Sequence, residues 1–140
     1  MALSLKSFSD AALSAVLTSL SVLQKTDGTT GPVDVVFYLG SNAVGKKIEA
    51  SSNPGVDDIV LSIVDASTGD GQAVGAVKLA TSAAGLDSVG AGASLALGPS
   101  VLSGAGNAIA VYARIEATDL TAGTYTDLSL QTNPLVESDA

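Results

Sequence analysis

Val33-Asp-Val-Val-Phe-Tyr-Leu39 sets Val33, Val35, Phe37 and Leu39 on one side of an extended backbone and Asp34, Val36 and Tyr38 on the other. An alternation of period two is the pattern of a strand with one face against a core. Gly40-Ser-Asn42 then breaks the run. The same rhythm returns near the other end, where Ile109, Val111, Ala113 and Ile115 oppose Tyr112, Arg114 and Glu116. Two such segments predict a chain built from strands.

Working outward, Thr26–Pro32 is a turn-rich link and Ser51–Gly55 is a second turn. Val44–Ala50 between them carries Lys46 and Lys47, which predicts an edge strand, because charge discourages further pairing. Ile59–Val64 is the most hydrophobic run and is expected to be central. Ser67–Gly71 turns the chain and Val74–Ala80 returns it. Residues 81–106 are rich in glycine and alanine, with one brief strand candidate at Ser94–Leu97. Gly123 opens a last strand in which Leu128 and Leu130 alternate with Asp127, Ser129 and Gln131, and Asn133-Pro134 ends it. Short strands separated by turns at this pace predict an all-β protein, an Ig-like antiparallel β-sandwich. Residues 27–140 form the sandwich domain, and residues 1–26 form an N-terminal arm with a first strand.

Residues 1–26 admit two readings. Ser9-Asp10 could cap a short helix with Leu13, Val16, Leu17 and Leu20 on one face. Alternatively the arm is extended and runs into a strand over Thr18–Gln24, where Leu20 and Val22 alternate with serine; serine and threonine are mediocre helix formers, which favours the arm.

Composition narrows the chemistry. The chain has 140 residues and no histidine, cysteine or tryptophan, which removes the imidazole, the thiolate and the soft metal ligands. Aromatic residues are 4% against 46% hydrophobic, so the core must be built from aliphatic side chains. A net charge of −8, with no basic stripe, argues against nucleic acid and spaces identical copies apart. Lys6 and Asp10 interrupt the N-terminus, which therefore does not read as a secretory signal, and the run Ala11–Leu23 is too polar to span a bilayer. The expectation is a protein made in a cytoplasm and working without a membrane.

Candidate sites are few. Asp57, Asp58, Asp65, Asp70 and Asp127 could supply a glycosidase pair, but most sit beside turn residues, where a solvated carboxylate serves the local backbone. Asp65 and Asp70 flank a glycine turn and could hold calcium; a hairpin turn explains the same residues. A serine nucleophile would need Lys46, Lys47 or Lys78 buried and deprotonated, and no Gly-x-Ser-x-Gly elbow occurs. The glycines from Gly85 to Gly106 lack the helix-opening pattern of a phosphate loop. These residues point to no enzyme, no cofactor and no metal.

Ala122-Gly-Thr-Tyr-Thr-Asp127 resembles a segment near the end of the pilin-like spore-coat-U sandwich domains. Over its whole length the chain is similar to the capsid decoration (cement) proteins of tailed bacteriophages. The similarity lies in the Met1 start, the Leu3/Leu5/Phe8 arm, the Gly/Ala/Ser/Thr-rich body, Tyr38–Ser41 and the Asn133–Glu137 tail. That resemblance implies a virion protein, a trimer or similar small homo-oligomer seated on the major capsid protein or another virion protein; the alternatives are a tail, neck or baseplate component and a pilus or cell-surface sandwich module. On this reading Leu3, Leu5, Phe8, Leu13 and Leu17 carry the contact. The competing reading is that these side chains cover the base of the chain's own core.

Overall fold

The computed structural model describes residues 3–19, 23, 25, 27, 29, 31–66, 72–117 and 128–140. Among these residues ten strands follow one another: β1 (Leu5–Phe8), β2 (Val33–Ser41), β3 (Lys46–Ala50), β4 (Val60–Asp65), β5 (Val77–Ala80), β6 (Leu95–Ala96), β7 (Ser100–Leu102), β8 (Ile109–Ile115), β9 (Leu128–Thr132) and β10 (Leu135–Asp139). Among the described residues, helix is confined to short 3-10 segments at Val74–Ala76, Ala84–Asp87 and Ala105–Asn107. The fold is all-β and its sheets are antiparallel.

A four-stranded sheet runs in the order β1-β2-β8-β5. The alternation in β2 and β8 appears here as a shared register, Val33↔Ile115, Val35↔Ala113 and Phe37↔Val111, which stacks the aliphatic rows on one face. Two three-stranded sheets, β10-β3-β7 and β6-β4-β9, are made from the same two flanking segments. Residues 95–102 supply β6 and then β7, and residues 128–139 supply β9 and then β10. Each flanking segment carries a proline where it crosses between sheets, Pro99 and Pro134, at positions outside the ladders. Backbone bonds bridge the crossings: Ile59 N–H to Gly98 O at 2.8 Å, Leu97 N–H to Ile59 O at 2.7 Å and Ser51 N–H to Pro134 O at 2.9 Å. The Asn133 amide oxygen accepts from Val60 N–H at 2.9 Å while its NH2 donates to Asp58 O at 3.1 Å, so Asn133 pins one crossing.

One core joins the three sheets. Phe37, Leu39, Leu79, Val111 and Ala113 come from the four-stranded sheet, Ile48, Leu61 and Val101 from the other two, and Ile59 and Leu97 from the residues just before β4 and just after β6. The four-stranded sheet also buries part of its opposite face. Phe8 pairs with Tyr38 and so lies on the face away from that core, yet it is 0% exposed. Leu13 and Leu86 are buried too, and a Cβ on Gly40 would lie 2.9 Å from Leu13 Cδ1. Gly40 is therefore the shelf on which Leu13 rests. At the other end of the sheet the Ala84–Asp87 segment lies over β5: a Cβ on Gly85 would lie 3.1 Å from the Ala80 Cβ.

The structure corrects several expectations. β3 is central, not an edge: Lys47 pairs with both Leu102 and Ser138 on the outward face, and Lys46 reaches Asp139, so neither lysine blocks a neighbouring strand. Ile59–Val64 is central, but only within its three-stranded sheet. Val77–Ala80 does not return against β4; it pairs with β8. Asn133-Pro134 ends β9 but not the sheet structure, since Leu135–Asp139 continues as β10. The first strand is Leu5–Phe8, and residues 9–15 form a turn in place of the helix option. The expected Thr18–Gln24 strand falls largely outside the described residues, and the Gly123–Asp127 segment falls there entirely.

Candidate functional site

The N-terminal segment is a hairpin. Ser9 N–H donates to Ala15 O at 2.9 Å, Leu17 N–H to Ser7 O at 2.8 Å, and Phe8 bridges Val16. Asp10 organises its tip: the carboxylate accepts from the Ser14 and Ala15 amides, each at 3.0 Å, and from the Ser14 hydroxyl. The Ser14 hydroxyl, then the Ala15 amide, hold the Asp10 carboxyl below its ordinary value. Leu13 sits in the turn at φ +56°, a region bulky residues rarely adopt, and the contact with Gly40 is what its side chain gains there.

A chain of hydrogen bonds ties the start of this hairpin to the last strand. Ala43 N–H donates to Ser41 Oγ at 3.2 Å, and Ser41 Oγ lies 2.5 Å from Ser4 Oγ. The Ser4 hydroxyl donates to the Glu137 carboxylate, which also accepts from Ser4 N–H at 3.0 Å. Ser41 is fully buried, so its hydroxyl needs this partner. The Ser4 hydroxyl, followed by the Ser4 amide, keeps Glu137 below the usual carboxylate range.

The contact residues expected from sequence are thus redistributed. Phe8 and Leu13 are buried on the outer face of the chain's own sheet, and Leu5 and Leu17 are half-buried against the main core. Leu3 is half-buried as well. Two of the five, Phe8 and Leu13, therefore have no free surface in the folded chain, while Leu3, Leu5 and Leu17 keep part of theirs. Val16, 54% exposed, is the large apolar side chain the hairpin does present to solvent.

What faces outward elsewhere is distinctive in its charge. On β6-β4-β9 the side chains alternating with buried Leu61 and half-buried Ile63 are Val60, Ser62 and Val64, and the register adds Ala96, Gln131 and Ser129 to that face. None of these ionises. An open depression of about 290 Å³ lies there, lined by Val60, Ser62, Val64, Gln131 and Asn133 among others. The outer face of the four-stranded sheet differs. Arg114 Nε and Nη2 donate to Asp34 at 2.8 and 3.0 Å, and Nη1 donates to Asp87 at 2.7 Å, which lowers the Asp34 carboxyl and raises the guanidinium.

The chemical candidates are scattered. Asp57 accepts from the Ser52 hydroxyl at 2.7 Å in the exposed loop after β3. Asp65 ends β4, while Asp70 and Asp127 lie outside the described residues, so one half of the calcium pair lies outside them too. Lys46 bonds Asp139 at 2.6 Å, which raises its pKa, the opposite of what a general base requires. Among the described residues no three carboxylates converge as metal ligands, and no helix is long and apolar enough to cross a membrane. Sequence reasoning missed Ser4, Ser41, Glu137 and Asn133, whose partners lie up to 133 positions away. The Asp10 turn had a local signal in the spacing from Asp10 to Ser14.

No family model matches this chain, no curated protein matches it, and no solved structure matches it.

Proposed function

We propose that this chain is a non-enzymatic structural protein of a tailed-bacteriophage virion, a decoration protein of sandwich type. On this reading it binds the outside of the capsid as a small oligomer, a trimer by resemblance, and steadies contacts between capsomers. One observation supports the reading above others: in a chain of net charge −8, the outward face of β6-β4-β9 carries no ionisable side chain among the described residues. Burying a charge in a docking interface costs desolvation, and the central area of protein interfaces is depleted in charge. Val60 and Val64 supply apolar area, while Ser62, Ser129 and Gln131 supply hydrogen bonds. The acidic remainder of the surface keeps free copies apart before they dock.

The test is co-sedimentation of the purified chain with empty capsids of the phage that carries it. Binding is expected to saturate in fixed proportion to the capsomers. Val64→Lys, which places a charge on the face without entering the core, is expected to weaken binding by about tenfold or more. Failure of the natural chain to bind capsids rejects the reading, and binding to isolated tails instead assigns it to the tail, neck or baseplate.

A further inference from the structure

We propose that the Leu5–Leu17 hairpin is an exchangeable arm, able to leave its own sheet and seat on the β2 edge of a second copy of this chain. The inference concerns this chain alone and does not rest on the virion reading. Three observations carry it. First, the hairpin is a closed unit: its tip is held by Asp10, Ser14 and Ala15, and its two limbs by Ser9–Ala15 and Ser7–Leu17, so it can move without losing its internal bonds. Second, its seat is formed by the rest of the chain and is shaped for it. The β2 edge from Tyr38 to Ser41, the bare Gly40 with Ala108 beside it, the Ser41 hydroxyl and the Glu137 carboxylate all belong to residues beyond the hairpin. A seat that fits the hairpin of one copy fits the hairpin of another equally well; only the connecting chain differs.

Third, that connection is long. Leu17 lies level with Leu39 through Ser7, and the chain must re-enter at Val33, about 20 Å down β2 at ~3.4 Å per residue. Residues 18–32 separate the two points in sequence, and a chain of that length has an extended reach of about 50 Å. That reach is more than twice the separation, so the tether is long enough for the hairpin to meet a sheet other than its own. It also gives the chain's own hairpin an effective concentration in about the millimolar range. Exchange therefore rises as copies become crowded to comparable levels, as subunits gathered in an assembly are.

The chain has no cysteine, which makes the Ser4–Ser41 contact directly readable. Single variants Ser4→Cys and Ser41→Cys are mixed at about 1 mM and gently oxidised; the disulfide-linked heterodimer is expected several-fold above the same mixture in denaturing urea. Adding Glu137→Gln to both removes the charge that holds Ser4 and is expected to speed heterodimer formation several-fold. Light scattering of the natural chain gives a readout independent of the cysteines: the mass is expected to rise above 13.7 kDa as concentration increases. Heterodimer at the urea background overturns the proposal, and so does a mass that stays at one chain throughout.

Discussion

Replacing Phe8 with alanine separates a hairpin that belongs to the fold from an arm that merely trails it. Phe8 is 0% exposed on the outer face of the four-stranded sheet, paired with Tyr38. Truncating a buried phenylalanine costs ~3–5 kcal/mol, part of it lost transfer energy and part the cavity left behind. The hairpin is peripheral and can settle into some of that cavity, so the lower figure applies, about 3 kcal/mol. With a urea slope of ~2 kcal/mol per molar, the unfolding midpoint falls by about 1.5 M with the slope unchanged. A ceiling also operates: once the loss exceeds the free energy that docks the hairpin, the hairpin opens alone and the rest of the sheet survives. Phe8→Ala combined with Leu13→Ala is then less costly than the two changes added, because both act on one docking step. Val16→Ala, at a side chain 54% exposed, is the internal control and costs ~0.5 kcal/mol or less. If Phe8→Ala behaves like Val16→Ala, the hairpin is not integral and the reasoning fails.

Three further predictions concern other contacts. Gly40→Val pushes a methyl group into Leu13 and Ala108 and is expected to cost about 2 kcal/mol; Leu13→Ala should recover part of that loss in a double-mutant cycle, and strict additivity would refute the contact. Arg114→Met removes a fork that holds two partly exposed carboxylates, Asp34 and Asp87; the loss in urea midpoint is small and shrinks as salt is raised, so a salt-independent loss would contradict the ion-pair account. Acid is expected to destabilise the chain through carboxylates whose folded pKa values lie below their unfolded ones: Glu137 through the Ser4 hydroxyl, Asp34 through Arg114 and Asp10 through the Ser14 hydroxyl. Their stabilisation is present above the unfolded values near pH 4 and is lost as pH falls through the lower folded ones; Glu137→Gln should flatten part of that decline in urea midpoints measured down to about pH 3.

The strands were legible where one side of the chain meets water and the other meets the core. Val33–Leu39 and Ile109–Ile115 alternate because their other faces hold polar or aromatic groups such as Asp34, Arg114 and Tyr112. Pairing was not legible, because period two says which way a side chain points and nothing of which strand lies beside it. Lys46 and Lys47 suggested an edge, but a lysine on an outward face tolerates neighbours on both sides, as Lys47 between Leu102 and Ser138 demonstrates. The leucines of the arm were visible as apolar surface needing a partner. That the partner is the chain's own sheet depends on Gly40, whose missing side chain makes room for Leu13, and no local pattern near residue 13 reports that space. The Ser4–Ser41–Glu137 chain was invisible for a similar reason: its contacts join side chains far apart in sequence, where no local pattern reports them.

Imaging of purified virions that contain this polypeptide tests the proposed role most directly. Density for the three-sheet domain is predicted on the outer surface of the capsid, with the face of Val60, Ser62 and Val64 turned toward the major capsid protein. Density confined to the tail, or particles whose shells carry no trace of the chain, would contradict it.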